Sequence, residues 1–259
     1  MPRFKLLIEY AGTRYSGWQI QKNARTVQGE IDRAVHEVSG RRDFELYGSG
    51  RTDAGVHALA QVAHLDLQAT LAPDELVAAI NDRLPADINL LAAARVPHRF
   101  HARHDAVARS YLYQIARRRT AFAKPYVWWV KEALDVDQMQ LVAARFAGMH
   151  DFQAFTDADP EQSSTMVQVD RVQVEECSDL LLVRVEGSHF LWKMVRRMIG
   201  VLAEAGRGQM TPEQAASLLQ GRSKLPARIT APAAGLFLER VFYDGDRRDY
   251  PLVPPLFTL

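Results

Sequence analysis

The chain has 259 residues, of which 47% are hydrophobic and 24% are charged, a composition typical of a globular protein with a sizeable core. Its 32 Lys and Arg residues nearly balance its 31 Asp and Glu residues, so the net charge does not indicate a nucleic-acid-binding protein, and any basic surface must be local. The lack of a long apolar run and of a signal peptide, together with a single cysteine, predicts a cytoplasmic protein that does not span a membrane.

Strand and helix patterns alternate in the first part of the chain. A strand near the start is followed by an amphipathic helix, with Thr26 as its cap and Gly40 as its stop. Two further strands enclose a glycine-rich loop, and Pro73 begins the next helix. The strand segments are "RFKLLIEY", "DFELYGSG", "ALAQVAHLDL" and "INLLAAARV".

A second series of strands and helices begins near Ala106. It contains a hairpin that turns at Ser178 and Asp179, a long helix from about Phe190, and a last strand, "GLFLERVFY". Residues 156–165 have the composition of a surface loop. The pattern predicts an α/β (α+β) protein with a mixed sheet and two comparable halves, 1–105 and 106–259.

The loop "YGSGRTDAGVHA", residues 47–58, contains three glycines around Asp53. It lacks the Gly-Lys-Ser/Thr ending of a nucleotide-binding loop. A single loop aspartate is usually a turn residue, but Arg51 lies two positions away, and a nearby cation keeps an aspartate ionised. Asp53 is therefore either a turn residue or a candidate nucleophile or general base.

The helix pattern over "FLWKMVRRMIGVLAEAG" has two adjacent apolar stripes. Arg196 falls beside the second stripe, whereas Lys193, Arg197 and Glu204 share the remaining polar face. We expect Arg196 to be drawn into the protein, where an arginine needs an anionic partner. A structural salt bridge and a solvated charge are the alternatives.

A basic and aromatic region surrounds Tyr111 and Tyr113. It is either an ordinary sheet face beside solvated charges or a groove in which arginines bind phosphates and a ring stacks on a base. His98, His101 and His104 recur every three residues, but without Cys or a catalytic Glu they do not predict a metal site. The candidate RNA-binding residues are Arg99, Arg103, Arg117, Arg118 and Arg119.

Taken together, these segments resemble tRNA pseudouridine synthases of the TruA type. The loop "GRTDAGVHA" carries the specific part of the resemblance, which continues over nearly the full chain. The other matching motifs are "GWQIQ", "RTVQGEID", "LPADI", "FHAR", "RSYLYQI", "FLWKMVRRMIGVL" and "APAAGLFL".

The resemblance implies a role for each candidate residue. Asp53 matches the catalytic aspartate, and Arg51 the arginine associated with displacing the target base. Tyr111 matches the tyrosine that lines the uracil pocket, and Arg196 the arginine that pairs with the catalytic carboxylate. Leu236 matches the apolar residue that packs under the pocket. The implied fold has two α/β halves whose antiparallel sheets join, with a basic cleft between them.

The implied activity is isomerisation of uridine to pseudouridine at positions 38, 39 or 40 of the tRNA anticodon arm by a homodimer. The reaction needs no redox cofactor, nucleotide or metal. Asp53 could attack the base, attack the sugar, or abstract a sugar proton, and the sequence leaves these open. A synthase acting on another RNA position, a hydrolase and a non-catalytic RNA-binding module are the alternative functions.

The chain departs from the family pattern at a few positions. After "FHAR" it has His104 and Asp105 where Phe-Ser is common, and it has Val167 where an arginine is expected. These departures concern RNA contacts, and therefore the choice of target position, and leave the core site unchanged.

Overall fold

A computed structural model describes residues 1–157 and 164–255. Six of the residues predicted to form a surface loop, 158–163, lie outside this description. The chain forms two compact units, the first made of residues 1–107 and 237–247 and the second of residues 108–236 and 248–259.

Ten strands and six helices follow one another along the described chain. The strands are β1 (Arg3–Tyr10), β2 (Glu45–Gly48), β3 (His57–Asp66), β4 (Ile88–Val96), β5 (Ala108–Ala116), β6 (Trp128–Trp129), β7 (Gly148–Asp151), β8 (Met166–Cys177), β9 (Leu180–Gly187) and β10 (Leu236–Phe242). The helices are α1 (Val27–Ser39), α2 (Pro73–Asn81), α3 (Val136–Phe146), α4 (Met194–Gly206), α5 (Pro212–Ser217) and α6 (Leu225–Arg228).

In the first unit, β1 lies between β4 and β3 and is antiparallel to both. β2 pairs with β3, and β10 joins β3 in parallel register, with Phe237 opposite His57. Alternate residues of β1 are buried, as expected for a strand with one face in the core. Helix α1 is capped as predicted, since the Thr26 hydroxyl accepts a hydrogen bond from the amide of Gly29 and Gly40 ends the helix at φ 66°.

The second unit contains the antiparallel series β5, β9, β8 and β7, with β6 parallel to β5. The β8–β9 hairpin turns at Ser178 and Asp179, as predicted. Helix α3 packs on β8 and on α4. In each unit the predicted mixture of helices with a mixed, mainly antiparallel sheet is confirmed.

The structure differs from the sequence prediction at two places. Helix α4 begins at Met194 rather than near Phe190, because Lys193 has a left-handed backbone with φ 62°. The sequence prediction placed the last strand in the second half. Residues 237–247, which include all of β10 after Leu236, belong to the first unit instead, where β10 pairs with β3. No helix within residues 1–157 and 164–255 is long and apolar enough to cross a membrane.

Candidate active site

The loop that contains Asp53 connects β2 to β3 along a fixed path. The Gly50 carbonyl accepts a hydrogen bond from Gln61 Nε2 at 3.0 Å. After Asp53, the amide of Val56 donates to the Asp53 carbonyl at 3.1 Å, and Gly55 takes φ 79° in this turn. A side chain would be strained at that φ, so the glycine of "DAGVH" meets a backbone requirement.

Arg51 and Asp53 flank a buried anchor, Thr52. The hydroxyl groups of Thr52 and Tyr10 lie 2.8 Å apart within the unit. Arg51 is exposed and Asp53 is half-buried. The loop thus fixes a carboxylate and a guanidinium two residues apart, beside an inward-facing threonine.

The segment from Gly12 to Trp18 packs against this loop and supports it. The amide of Trp18 donates to the Thr52 carbonyl at 3.1 Å, and that of Gly55 to the Tyr15 carbonyl at 3.3 Å. A Cβ on Gly17 would lie 2.5 Å from the Thr52 oxygen, well inside contact distance. The glycine of "GWQIQ" is therefore needed for close approach of two backbones.

His57 supports the loop from its other end. The side chain is only 1% exposed, its Nδ1 accepts a hydrogen bond from the Gly12 amide at 3.1 Å, and its ring stacks on Phe237 at 4.7 Å. Because Nδ1 accepts a hydrogen bond here, it carries no proton itself. No local sequence pattern predicted this role of His57.

In the second unit, Arg196 is tied to the segment that precedes β10. Its Nε donates to the Ala231 carbonyl at 2.8 Å, and the Ala231 amide donates to the Arg196 carbonyl at 3.0 Å. The two backbones also touch at Gly200, where a Cβ would overlap the Ile229 carbonyl oxygen. Arg196 is half-buried, and its guanidinium is held in one orientation.

Tyr113 links that segment to β5. Its hydroxyl donates to the Pro232 carbonyl at 2.8 Å, and a Cβ on Gly235 would lie 2.7 Å from its ring. Burial raises the pKa of Tyr113, and the charge of Arg196 acts in the opposite direction. Leu236, which is 5% exposed, follows directly. Tyr113 therefore packs against the segment before β10, which Arg196 also contacts and which Leu236 follows.

Tyr111 lies two residues before Tyr113 on β5 and points to the same side of the strand. It is half-buried, and its ring meets the edge of Phe190 at 5.2 Å. Tyr111 therefore packs on Phe190, while Tyr113 on the same side of β5 bonds to the segment that Arg196 also contacts. No local sequence pattern indicated a role for Phe190.

The prediction that Arg197 lies on a solvated face is wrong. Arg197 is 3% exposed and forms an ion pair with Asp157, which also accepts from Lys193 Nζ at 2.8 Å. Both cations lower the pKa of Asp157 through their hydrogen bonds, Lys193 most. Helix periodicity failed because α4 is covered nearly all round, with every residue buried except Arg196 and Glu204.

The five arginines predicted to bind RNA have different surroundings. Arg99 and Arg103 are exposed in the first unit. In the second unit, Arg117 pairs with Glu176 at 2.7 Å and Arg118 with Asp179 at 2.5 Å. Arg119 lies over the ring of Trp129 at 5.9 Å. The charges of Arg117 and Arg118 are thus compensated locally.

The departures from the family pattern have structural roles in this chain. The Asp105 carboxylate accepts from the His101 amide at 2.9 Å, and the rings of His101 and His104 lie 4.2 Å apart. Val167 is fully buried in β8. Among the residues that the structure describes, no group of three or more His, Cys, Asp or Glu side chains could hold a metal ion.

Comparison with known proteins places these features in a family. A family model described as tRNA pseudouridine synthase matches residues 6–105 and 142–244. A tRNA pseudouridine synthase A of Paramagnetospirillum magneticum is 40% identical over 95% of this chain and 96% of its own length. One from Methylobacterium nodulans is 42% identical over 94% and 96%, and one from Clostridium tetani, named tRNA pseudouridine synthase A 2, is 36% identical over 93% and 98%. The chain belongs to the tRNA pseudouridine synthase family, whose members are isomerases.

Proposed function

We propose that this protein converts uridine to pseudouridine at one or more of positions 38, 39 and 40 in the anticodon arm of tRNA, with Asp53 as the essential carboxylate. The observation that carries the proposal is the family match over both units, which includes the fixed loop around Asp53. The finer assignment of the anticodon arm rests on the resemblance of the motifs.

The reaction requires few chemical functions. The bond from N1 of uracil to C1′ breaks, the base turns, a bond forms from C5 to C1′, the C5 proton is lost, and N1 takes up a proton. No atom is oxidised and no water is added. A carboxylate must act at the reacting carbons, and a pocket must retain the detached base.

The proposed roles are divided between the two units. The first supplies Asp53 as the reacting carboxylate and Arg51 as the residue that displaces the base. The second supplies Tyr111 as a ring for stacking on the uracil, Arg196 as the cation that the resemblance pairs with the catalytic carboxylate, and Leu236 as apolar packing below the base. The fixed guanidinium of Arg196 and the rigid Asp53 loop suit such preorganised roles.

The test is to incubate the purified protein with unmodified tRNA transcripts and to map pseudouridine at single-nucleotide resolution. We expect modification at 38, 39 or 40 on several tRNAs of unrelated sequence. Asp53→Asn should abolish turnover while tRNA affinity stays within a few-fold, because binding rests on cations elsewhere. Asp74→Asn, on the exposed first turn of α2, is the matched control.

Two outcomes would contradict the proposal in different ways. Modification confined to another arm or to ribosomal RNA would overturn the substrate and leave the reaction standing. Substantial turnover by Asp53→Asn would overturn the role of the carboxylate.

We further propose that the protein acts in the cytoplasm as a homodimer in which one tRNA contacts both subunits. Sedimentation with and without tRNA tests this arrangement. Twice the monomer mass with one tRNA per dimer is expected, and a monomer at assay concentrations would contradict it.

A further inference from the structure

A shallow depression, open to solvent, lies beside the Asp53 loop on the first unit. Its lining includes Trp18, Gln19, Tyr47, Gly50, Arg51 and Arg103.

The floor of the depression is rigid. Trp18 is 1% exposed, and its indole lies so close to Gly48 that a Cβ there would be 2.6 Å from Trp18 Nε1. The side chain of Gln28 donates to the Leu46 carbonyl at 2.8 Å and accepts from the Ile20 amide at 3.2 Å. The walls are therefore fixed before any ligand arrives.

The rim presents an aromatic face and two cations. Tyr47 is 42% exposed, and its ring stacks on His64 at 5.8 Å with an interplanar angle of 20°. Arg51 and Arg103 are both exposed. Single-stranded RNA is bound by rings that stack on bases and by arginines that contact phosphates. Arg51 lies two residues from Asp53, so a nucleotide held here would be close to the reacting one.

We propose that this depression is a second nucleotide subsite, which takes the base of a nucleotide next to the uridine that is isomerised. Tyr47 stacks on that base, and Arg51 and Arg103 contact its phosphate. This inference rests on the proposed function, since it needs an RNA substrate. It makes target selection depend on a nucleotide that the chemistry does not touch.

Gly50 allows a direct test, because no atom lies within 4 Å of where its Cβ would stand. Gly50→Leu would add an apolar side chain to the lining of the depression, and its Cβ would meet no neighbouring atom. Gly221→Leu, at a glycine of the second unit with equal open space, is the matched control. Dissociation constants would be measured for an RNA stem-loop with normal nucleotides, and for stem-loops with one abasic site at each position beside the target.

We expect Gly50→Leu to weaken binding of the normal stem-loop by roughly 5- to 20-fold, the scale of one stacked base, and Gly221→Leu to change it less than about twofold. For the wild type, one of the abasic sites should weaken binding by a similar factor. On that abasic stem-loop, Gly50→Leu should cause no further loss of affinity. Tyr47→Ala should behave like Gly50→Leu, which keeps the test valid if the leucine variant unfolds.

Unchanged binding of the normal stem-loop by Gly50→Leu would overturn the subsite. It would also be overturned if Gly50→Leu weakened binding by the same factor at every abasic position as it does for the normal stem-loop. The proposed function fails separately, if the wild type binds the stem-loop but forms no pseudouridine. No RNA binding by the wild type would overturn both.

Discussion

Neighbouring arginines of α4 have different partners and should have different mutant phenotypes. Arg197→Met would leave Asp157 without one of its two cations and would remove a buried guanidinium. Loss of one partner of a buried pair costs about 3–5 kcal/mol, and since Asp157 is 39% exposed we expect about 1–3 kcal/mol here. Thermal unfolding measures this loss, with Arg228→Met at an exposed position of α6 as the control. Equal melting temperatures would refute the structural role of Arg197.

Arg196→Met should affect activity more than stability. Arg196 is half-buried, its guanidinium is held by the Ala231 carbonyl, and it belongs to the proposed catalytic set. We expect turnover to fall at least tenfold, with a smaller change in melting temperature than in Arg197→Met. A variant with wild-type turnover would remove Arg196 from the proposed mechanism.

His64 should make the first unit sensitive to mild acid. Burial lowers its pKa to about 4, with the charge of Arg3 acting in the same direction, whereas an unfolded histidine titrates near 6.5. Between these values the unfolded state binds more protons, so the free energy of unfolding falls as the pH decreases from about 6.5 to about 4. The loss is at most about 3 kcal/mol.

Denaturant unfolding across this pH range is the measurement. His64→Gln is the comparison, because a glutamine oxygen can replace Nδ1 as acceptor for the Ala102 amide. The variant should lose less stability than the wild type below pH 6.5. Identical pH profiles would show that His64 is not the titrating group.

At the level of elements, we can test the backbone contact between the segment around Trp18 and the Asp53 loop. Gly17 and Gly40 both have positive φ, but only Gly17 faces a backbone oxygen at clash distance. Gly17→Ala should therefore lower both stability and turnover strongly, whereas Gly40→Ala should cost only about 1 kcal/mol. Melting temperature and turnover of the two variants decide this, and equal effects would contradict it.

Local signals predicted most elements. Thr26 and Gly40 marked the ends of α1, and alternation marked β1 and the β8–β9 hairpin. The strands β6 and β7 were not predicted, because they have only two and four residues and show no clear alternation. The start of α4 was wrong because the left-handed backbone at Lys193 leaves no pattern in the sequence.

Prediction of the site had a similar limit. Glycines and charges identified the Asp53 loop, but its supports are contacts between distant segments. The pairing of Gly12 with His57 joins residues 45 positions apart. The Arg197–Asp157 pair spans 40 positions, so helix periodicity could not reveal it.

At the scale of the whole molecule, a net charge of +1 requires RNA affinity to come from particular arginines. Arg103 is exposed beside the proposed subsite, whereas Arg117 already pairs with Glu176. Arg103→Gln should reduce the slope of log affinity against log salt by about 1. Arg117→Gln should change it less, because its charge is partly compensated. Binding titrations at several salt concentrations test this, and equal slopes for both variants would contradict it.

The return of β10 to the first unit has a consequence for biosynthesis. Residues 1–107 emerge from the ribosome first, but they lack the strand that pairs with β3 and the Phe237 ring that stacks on His57. At roughly 5–20 residues per second, that strand follows after on the order of ten seconds. Until then the nascent chain exposes the edge of β3 at His57 and Ala58, and the Asp53 loop lacks the contact with Phe237, so the loop gains its last support only after β10 is made.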